Sequence, residues 1–196
     1  FNTGEILTMI TRRGVVKRTP LEAYRNVRRG GLKAIRLDEG DELFAVHKTD
    51  GHREILIAAS NGLGVKFDEN RARLMGRVSR GVRGIRLEEG ENVVGTAALK
   101  PAENGAYDKT ILTITQNGFG KRTDPSKFPL RGRGGKGVIC HKLTAKTGAL
   151  ARLGAVSEDE DIFLITDGGT LIRTRVAQIS ETGRAASGVI VMRLSD

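Results

Sequence analysis

A fourfold internal repeat is the feature of the sequence that most restricts its fold. Each copy has an apolar run, a glycine-containing tight turn and a second short run that ends in a basic residue; the copies are LTMITRRGVVKRT from Leu7, ILIAASNGLGVKF from Ile55, ILTITQNGFGKRT from Ile111 and IFLITDGGTLIRT from Ile162. This pattern is typical of a β-hairpin. The turn glycines are spaced by 48, 56 and 51 residues, in the range of propeller blades, and are Gly14, Gly62, Gly118 and Gly169.

A second repeated segment, called the block, follows each hairpin. The blocks are GGLKAIRL, RGVRGIRL, KGVICHKL and SGVIVMRL, and they lie around Gly31, Gly81, Gly137 and Gly188. From turn glycine to block glycine the offset is 17, 19, 19 and 19 residues. An acidic turn and another apolar run usually follow. Each repeat therefore predicts four short strands, of which the last leads into the next unit. The predicted units span residues 1–42, 43–92, 93–147 and 148–196 of a single domain.

The block strands are apolar on both faces, which indicates that each sheet is covered by neighbours on both sides. We therefore expect an all-β, pinwheel or propeller-like fold with about four blades of four-stranded antiparallel sheet. Two arrangements are compatible with the repeats: a closed ring of four blades, and an open arc or truncated six-bladed ring. The incomplete repeats at both ends of the sequence fit the arc better. The chain begins at Phe1 without a Met or signal-like segment, so we expect a piece of a longer cytosolic protein.

Cysteine and histidine give no sign of catalysis or metal binding. Cys140 is the only cysteine, which suits a reducing compartment. It stands where the other blocks have Ala, Gly or Val, so we expect a small buried hydrophobe. Its neighbour His141 points to the opposite face of a strand and makes a poor catalytic partner. The histidines show no metal-ligand spacing.

Basic residues are concentrated at particular places in each unit. The net charge is +10 and the sequence pI about 10.2, which makes nucleic acid the first partner to consider. The cations of the loops between hairpin and block are Arg25, Arg28 and Arg29, then Arg71, Arg73, Arg77 and Arg80, then Lys127, Arg131, Arg133 and Lys136, then Arg184 and Arg175. A second set of basic residues lies at the hairpin ends, one in each unit: Arg18, Lys66, Arg122 and Arg173. Acidic residues are concentrated in other turns, at 38–42, 88–91 and 158–161.

Equivalent loops around an axis lie at equivalent heights, so these residues predict one basic band and a separate acidic one. We expect the loop cations (except Arg175) and the hairpin-end cations to contact the backbone of duplex DNA. Aromatic residues make up only 4% of the chain and Trp is absent, which argues against a single-strand stacking surface. No recognition helix is evident, so phosphate contacts with little base readout are expected.

The stretch PLRGRGGKGVICHKL from Pro129 contains G-x-G-x-x-G at Gly132, Gly134 and Gly137. A nucleotide site would need a preceding Rossmann-like strand and a following helix, and a P-loop would need Ser or Thr after its lysine. Here Lys136 is followed by Gly137. We therefore interpret this stretch as a cationic loop before a block strand.

The phrases TQNGFGKRT, KGVICHKL, RGVRGIRLEEGENVV and ITDGGTLIRT resemble the C-terminal domain of the bacterial DNA gyrase A subunit, and the resemblance extends over all four repeats. It implies the last four blades of a six-bladed β-pinwheel with strand-swapped connectivity. The resemblance also implies that the pinwheel wraps duplex DNA around a basic perimeter and directs strand passage towards negative supercoils. It also implies a non-catalytic, cytoplasmic, nucleoid-associated part of an ATP-dependent type II topoisomerase. The implied partners are the rest of the A subunit, together with the B subunit, in an A2B2 assembly. No cofactor belongs to this segment, since ATP and Mg²⁺ are used elsewhere.

That family has a seven-residue box, Q-R-R-G-G-K-G, in its first blade. Residues 131–137 read R-G-R-G-G-K-G and match five of the seven positions, but in what aligns as the fifth blade. The resemblance therefore implies general phosphate contact for Arg133 and Lys136, and Tyr24 and Tyr107 do not match the catalytic tyrosine. The alternatives are the related C-terminal domain of the topoisomerase IV A subunit and a propeller that serves as a protein-interaction platform.

Overall fold

The computed structural model describes residues 4–194, and almost all regular structure in this range is short β-strand. The fourteen strands are β1 (Ile6–Thr11), β2 (Val15–Pro20), β3 (Leu43–Thr49), β4 (Glu54–Ala59), β5 (Leu63–Asp68), β6 (Val82–Arg83), β7 (Val93–Leu99), β8 (Thr110–Thr115), β9 (Phe119–Thr123), β10 (Val138–Ile139), β11 (Leu150–Val156), β12 (Asp161–Ile165), β13 (Leu171–Arg175) and β14 (Val189–Ile190). Single 3-10 turns span Leu21–Tyr24, Glu69–Arg71, Pro125–Lys127 and Val176–Gln178. Within residues 4–194 no helix is long and apolar enough to cross a bilayer.

The predicted hairpins are confirmed, and each forms the centre of one sheet. The first three hairpins lie in four-stranded arrangements of the same order, β3-β1-β2-β6, β7-β4-β5-β10 and β11-β8-β9-β14. The second and third share one continuous sheet because β7 and β11 meet in parallel at Gly95 and Leu153. The fourth hairpin, β12-β13, has two strands within the described residues. The all-β, propeller-like fold class is thus confirmed.

The connectivity differs in one respect from the one that the repeat predicted, and it agrees with the strand exchange that the resemblance implied. The apolar run after each block stays with its own hairpin, as β3 does with β1, and it is the block that crosses to another unit. Each block strand pairs with the hairpin of the preceding unit, so Val82 lies opposite Val16, Val138 opposite Gly64 and Val189 opposite Gly120. The second, third and fourth units therefore each complete the sheet of the unit before them. The repeat alone does not distinguish pairing of a block with its own hairpin from pairing with the preceding hairpin, because the same segments recur in the same order in both cases.

The turn glycine of a hairpin is hydrogen-bonded to the exchanged block. The carbonyl of Gly62 accepts hydrogen bonds from the amides of Cys140 (2.8 Å) and His141 (3.4 Å), and that of Gly118 accepts them from Val191 (2.8 Å) and Met192 (3.2 Å). At Gly118 φ is +78° and an added Cβ would lie 2.0 Å from a carbonyl oxygen of the block. Glycine is therefore required both for the backbone conformation and for the close approach of the next unit.

Aliphatic cores fill the spaces between successive sheets. Strand β4 illustrates the arrangement: Ile55 and Ile57 pack towards the first hairpin, whereas Leu56 packs towards the third. Since successive side chains on a strand point to opposite faces, this confirms that the inner sheets are covered on both sides. On the fourth hairpin, by contrast, large apolar side chains are exposed, among them Phe163 and Ile165.

Candidate nucleic-acid interface

Four connecting loops carry the candidate binding residues, and each begins at a 3-10 turn and ends at a block glycine. We call them loop 1 (residues 21–31), loop 2 (69–81), loop 3 (125–137) and loop 4 (176–188). Loops 2 and 3 start in the same way. The carboxylate of Asp68 accepts from the amide of Asn70, and that of Asp124 from the amide of Ser126, both at 2.7 Å. These caps satisfy backbone donors that a single 3-10 turn leaves free.

The backbone of each later loop is fixed to the hairpin of the unit before it. The carbonyl of Arg18 accepts from the amide of Met75 (2.8 Å), that of Lys66 from Arg131 (2.9 Å) and that of Arg122 from Thr182 (2.9 Å). Three isolated parallel bridges mark the same crossings, at Arg18–Leu74, Lys66–Leu130 and Arg122–Glu181. Loops 2, 3 and 4 are therefore held in register.

The hairpin-end cations require a correction to the predicted interface. Arg18, Lys66 and Arg122 are only 2%, 4% and 7% exposed, so they lie between units and do not face a solvent-side ligand. The sequence analysis grouped the hairpin-end cations with the loop cations because both sets are basic and recur in every unit. Burial separates the two sets: the hairpin-end position is covered wherever a following unit packs on the hairpin.

Each of these buried cations instead binds the 3-10 turn of the next unit. A guanidinium nitrogen of Arg18 donates to the carbonyl of Ala72 (2.9 Å), and Nε of Arg122 donates to that of Ile179 (2.8 Å). Arg18 also forms an ion pair of 2.9 Å with the fully buried Glu69. Such charge-assisted bonds satisfy carbonyls that would otherwise be buried without a partner.

Lys66 makes the equivalent contact within a small polar network. Its Nζ donates to the carbonyl of Pro125 (3.0 Å) and to the hydroxyl of Tyr107 (3.0 Å), and it lies 3.0 Å from a carboxylate oxygen of Glu54. The Tyr107 hydroxyl donates to the same carboxylate at 2.6 Å. Burial, with a further contribution from Glu54, raises the pKa of Tyr107. This tyrosine therefore has a structural role.

Two buried lysines were missed by the sequence analysis. Lys17 Nζ donates to the carbonyls of Ala34 and Arg77, both at 2.7 Å, and Lys121 Nζ donates to those of Gly183 (2.8 Å) and Arg184 (2.6 Å). Burial lowers the pKa of each lysine to about 8. A signal was present, since both lysines stand three residues after a turn glycine, where the other two units have an apolar residue. Through these hydrogen bonds the two lysines fix the backbone of loops 2 and 4.

Most of the predicted loop cations are exposed. We call the following set the cationic band: the exposed Arg25, Arg28, Arg29, Arg71, Arg73, Arg80, Lys127, Arg131 and Lys136, with the partly exposed Arg77, Arg133 and Arg184. Arg173 is also exposed, but it lies on β13 outside the loops and pairs with Asp161. It is therefore the one hairpin-end cation that is not covered by another unit in the described residues.

Arginines of the band join successive loops to one another. Arg133 donates to the carbonyls of Arg71 (2.8 Å) and Arg83 (3.0 Å), and Arg184 donates to those of Lys127 (3.2 Å) and Ile139 (2.7 Å). Carbonyl partners carry no net charge, so these guanidinium groups keep their positive charge while fixing the loops. The band is thus continuous from loop 2 to loop 4.

The acidic turns contact the cationic band at one edge. The sequence analysis predicted two separate bands, and in the structure they are not fully separate. Arg80 pairs with Asp38, and Lys136 Nζ lies 2.6 Å from a carboxylate oxygen of Glu88. The hydrogen bond from Lys136 lowers the pKa of Glu88. In residues 4–194 no ion pair within 4 Å is made by the remaining fully exposed members, Arg25, Arg28, Arg29, Arg71, Arg73, Lys127 and Arg131.

The Cys140 and His141 pair lies in the interior. Cys140 is fully buried against Gly64, and burial raises its pKa to about 12, which confirms the small buried hydrophobe. His141 Nε2 donates to the carbonyl of Ser187 (2.8 Å), so Nδ1 accepts from the hydroxyl of Thr113 (2.9 Å). Burial lowers the pKa of His141, in keeping with a neutral ring that ties two units together.

The geometry defines a class of protein: a propeller-like array of exchanged β-units whose connecting loops carry the cationic band. A family model described as DNA gyrase C-terminal domain, beta-propeller, matches residues 5–50, 53–100, 109–157 and 160–196. The chain belongs to this family. The four matched segments correspond to the four hairpins, each with the outer strand that follows its block where one is described.

Related sequences and structures agree with this assignment. The DNA gyrase A subunit of Pseudomonas aeruginosa is 46% identical over 193 residues, covering 98% of this chain and 20% of the relative. The Escherichia coli gyrase A subunit is 42% identical over 196 residues, covering 100% and 22%. The chain thus spans about a fifth of the length of these relatives, which belong to a type II topoisomerase.

Two solved structures share the fold. A crystal structure of the C-terminal domain of DNA topoisomerase IV superposes with a TM-score of 0.89 at 27% identity, covering 98% of this chain and 59% of that one. A DNA gyrase A C-terminal domain superposes with a TM-score of 0.82 at 26% identity, covering 100% and 64%.

Proposed function

We propose that this chain binds duplex DNA along the cationic band and bends it, without reading its sequence, as the C-terminal domain of a DNA gyrase A subunit. The observation that carries the proposal is the row of exposed loop cations without acid partners, held on loops that are hydrogen-bonded to one another. An array of fixed positive charges on a curved edge suits a phosphate backbone, whose charges are themselves regularly spaced.

The physical basis is an exchange between bending energy and electrostatic attraction. Bending a site of 20–30 base pairs by 40–90° costs roughly 1–6 kcal/mol. Each Lys or Arg that neutralises a phosphate releases condensed counterions, so binding strengthens as salt falls. A fixed loop such as loop 3 needs little further ordering on binding, because its arginines already have their backbone partners.

In the complete enzyme, the bent duplex would present a neighbouring segment for ATP-driven strand passage and so favour negative supercoiling. The remainder of the A subunit, together with the B subunit, would supply cleavage, ATP and Mg²⁺. On the same grounds we infer that the chain acts at the bacterial nucleoid in the cytoplasm.

Charge reversal tests the proposal directly. The band variant changes Arg71, Arg73, Arg77 and Arg131 to Glu, and a control variant changes Lys48, Lys100, Lys109 and Lys146, which lie on or beside outer and hairpin strands away from the loops, to Glu. Both alter the net charge by the same amount. We expect the band variant to lose binding to a 40-base-pair duplex at moderate salt and the control to keep most of it. Equal loss in the two variants, or unchanged affinity in the band variant, would refute a localised interface; circular dichroism and thermal melting check that both fold.

A second candidate is a topoisomerase IV type domain, which would bind DNA without strong wrapping. The observation in its favour is the TM-score of 0.89 with a topoisomerase IV domain, against 0.82 with the gyrase domain. The curated gyrase A relatives, at 42–46% identity, favour the first. Relaxing a small DNA circle in the presence of the chain distinguishes them: wrapping leaves a change in linking number, whereas simple binding leaves none.

A further inference from the structure

Two leucines occupy equivalent positions on the cationic band. Leu74 and Leu130 both lie seven residues before a block glycine, and each forms the isolated bridge to a hairpin-end cation. Their side chains are 50% and 53% exposed. An exposed leucine is ordinary when it stands alone, but here the same large apolar side chain recurs beside exposed arginines, Arg73 and Arg131.

The backbone fixes both leucines in place. The residue after each one donates its amide to the preceding hairpin, from Met75 to the Arg18 carbonyl and from Arg131 to the Lys66 carbonyl. Beside Leu130 lies a surface cleft of about 550 Å³ lined by Asp68, Asn70, Arg71, Leu130, Arg131 and Gly132. The leucine thus shares a concave surface with arginines from two successive loops.

We propose that Leu74 and Leu130 contact the sugar and base edges of a groove of the bound duplex, between the phosphates held by their neighbouring arginines. This inference rests on the proposed function and adds an apolar component to it. Apolar side chains that enter the minor groove are a recurrent means of bending a duplex without sequence readout. Exposed apolar groups beside arginines suit a ligand that offers C–H surface between anionic groups, and duplex DNA has this chemistry.

The fourth unit supplies an internal contrast. The position equivalent to Leu74 and Leu130 is Glu181, which is exposed and makes the same bridge to a hairpin-end cation, Arg122. A carboxylate there repels phosphate and offers no apolar surface. The fourth unit therefore lacks the apolar contact that the leucines give to loops 2 and 3.

The test compares a Leu74→Ala, Leu130→Ala double variant with Leu171→Ala, which alters a leucine of similar exposure (55%) on the fourth hairpin. We expect the double variant to bind a 40-base-pair duplex about tenfold more weakly, from the apolar area that no longer becomes buried. The slope of log affinity against log salt should stay unchanged, because no phosphate contact is removed. End-to-end fluorescence energy transfer in the duplex should show a smaller bend. Leu171→Ala should alter none of these.

The outcomes separate the two proposals. If the unchanged chain binds duplex and the double variant binds it equally well, the leucine contact is refuted while the charge interface stands. A flatter salt slope in the double variant also refutes it, since the leucines would then act by placing the arginines. No binding by the unchanged chain at low salt refutes both proposals. In the opposite direction, Glu181→Leu should strengthen binding and bending more than Glu181→Gln does; equal gains would count against an apolar contact.

Discussion

The third and fourth hairpins are built from almost the same sequence pattern, yet the same positions have different roles in them. Arg122 of the third hairpin is buried and binds the next 3-10 turn, whereas Arg173 at the equivalent position is 67% exposed on its side chain and pairs with a neighbouring strand. Gly118 lies against the exchanged block, whereas an added Cβ at Gly169 would meet nothing within 4 Å among residues 4–194. The difference is whether a following unit packs on the hairpin, so the role of a residue in this fold depends on the next repeat as much as on its own.

The largest expected effect comes from a covered hairpin-end cation. Arg18→Met would leave the carboxylate of Glu69 buried without its ion-pair partner, and we expect the free energy of unfolding to fall by about 3–5 kcal/mol. Arg173→Met removes an exposed ion pair and should cost about 0–1 kcal/mol. Urea denaturation followed by circular dichroism measures both values. Similar costs for the two substitutions would show that the covered position is no different from the uncovered one.

The turn glycines should show a smaller contrast. Both residues have positive φ, +78° at Gly118 and +82° at Gly169, so alanine strains the backbone at either site by about 1–2 kcal/mol. At Gly118 the Cβ would also collide with the carbonyl of Met192, which adds roughly 1–3 kcal/mol. Thermal melting of the two alanine variants tests this: Gly118→Ala should have the lower Tm, and the reverse order would contradict block exchange at this turn.

A pH-dependent effect is expected from the lysine of the third hairpin. The pKa of Lys121 is about 8 in the folded chain, below the ordinary 10.5, so between pH 8 and 10.5 the unfolded chain binds more protons than the folded one. This residue therefore makes the free energy of unfolding rise with pH in that window, by up to about 1.4 kcal/mol per pH unit. Lys121→Met, which resembles Ile172 of the fourth hairpin, removes the contribution. Urea denaturation from pH 7 to 10 should show the unchanged chain gaining stability relative to the variant; a constant difference would show that burial does not lower the pKa of Lys121.

The hairpins and the buried cysteine were predictable because they follow from local patterns. A glycine between two apolar runs predicts a tight turn, and Cys140 stands in a column of small residues. Exchange of the blocks was not predictable from periodicity, because a block such as Val138–Ile139 follows both its own hairpin and the previous one in a regular repeat, so the repeat fits either pairing. Only the pairing with Gly64 in the structure decides this.

The candidate site was predictable in its loops and not in its hairpin ends. Arg71 and Arg131 stand among polar and glycine residues, where exposure is expected. Comparison of the repeats indicates burial at Lys121, because its equivalents in two other units are apolar. The equivalents of Arg122 are basic in every unit, so nothing in the sequence indicates that its side chain also turns into the space between two units. The burial of both side chains results from tertiary packing with carbonyl acceptors supplied by loop 4.

The central claim is that the exposed loop cations hold duplex DNA while the hairpin-end cations hold the units together, and arginine footprinting tests it most directly. The chain is treated with an arginine-selective dicarbonyl reagent, with and without a saturating 40-base-pair duplex, and modified residues are identified by mass spectrometry. We predict that Arg71, Arg73 and Arg131 react in the free chain and are protected by DNA, that Arg18 and Arg122 react in neither state, and that Arg173 reacts in both. Protection of Arg173 without protection of the loop arginines, or ready modification of Arg18 and Arg122 in the free chain, would contradict the account.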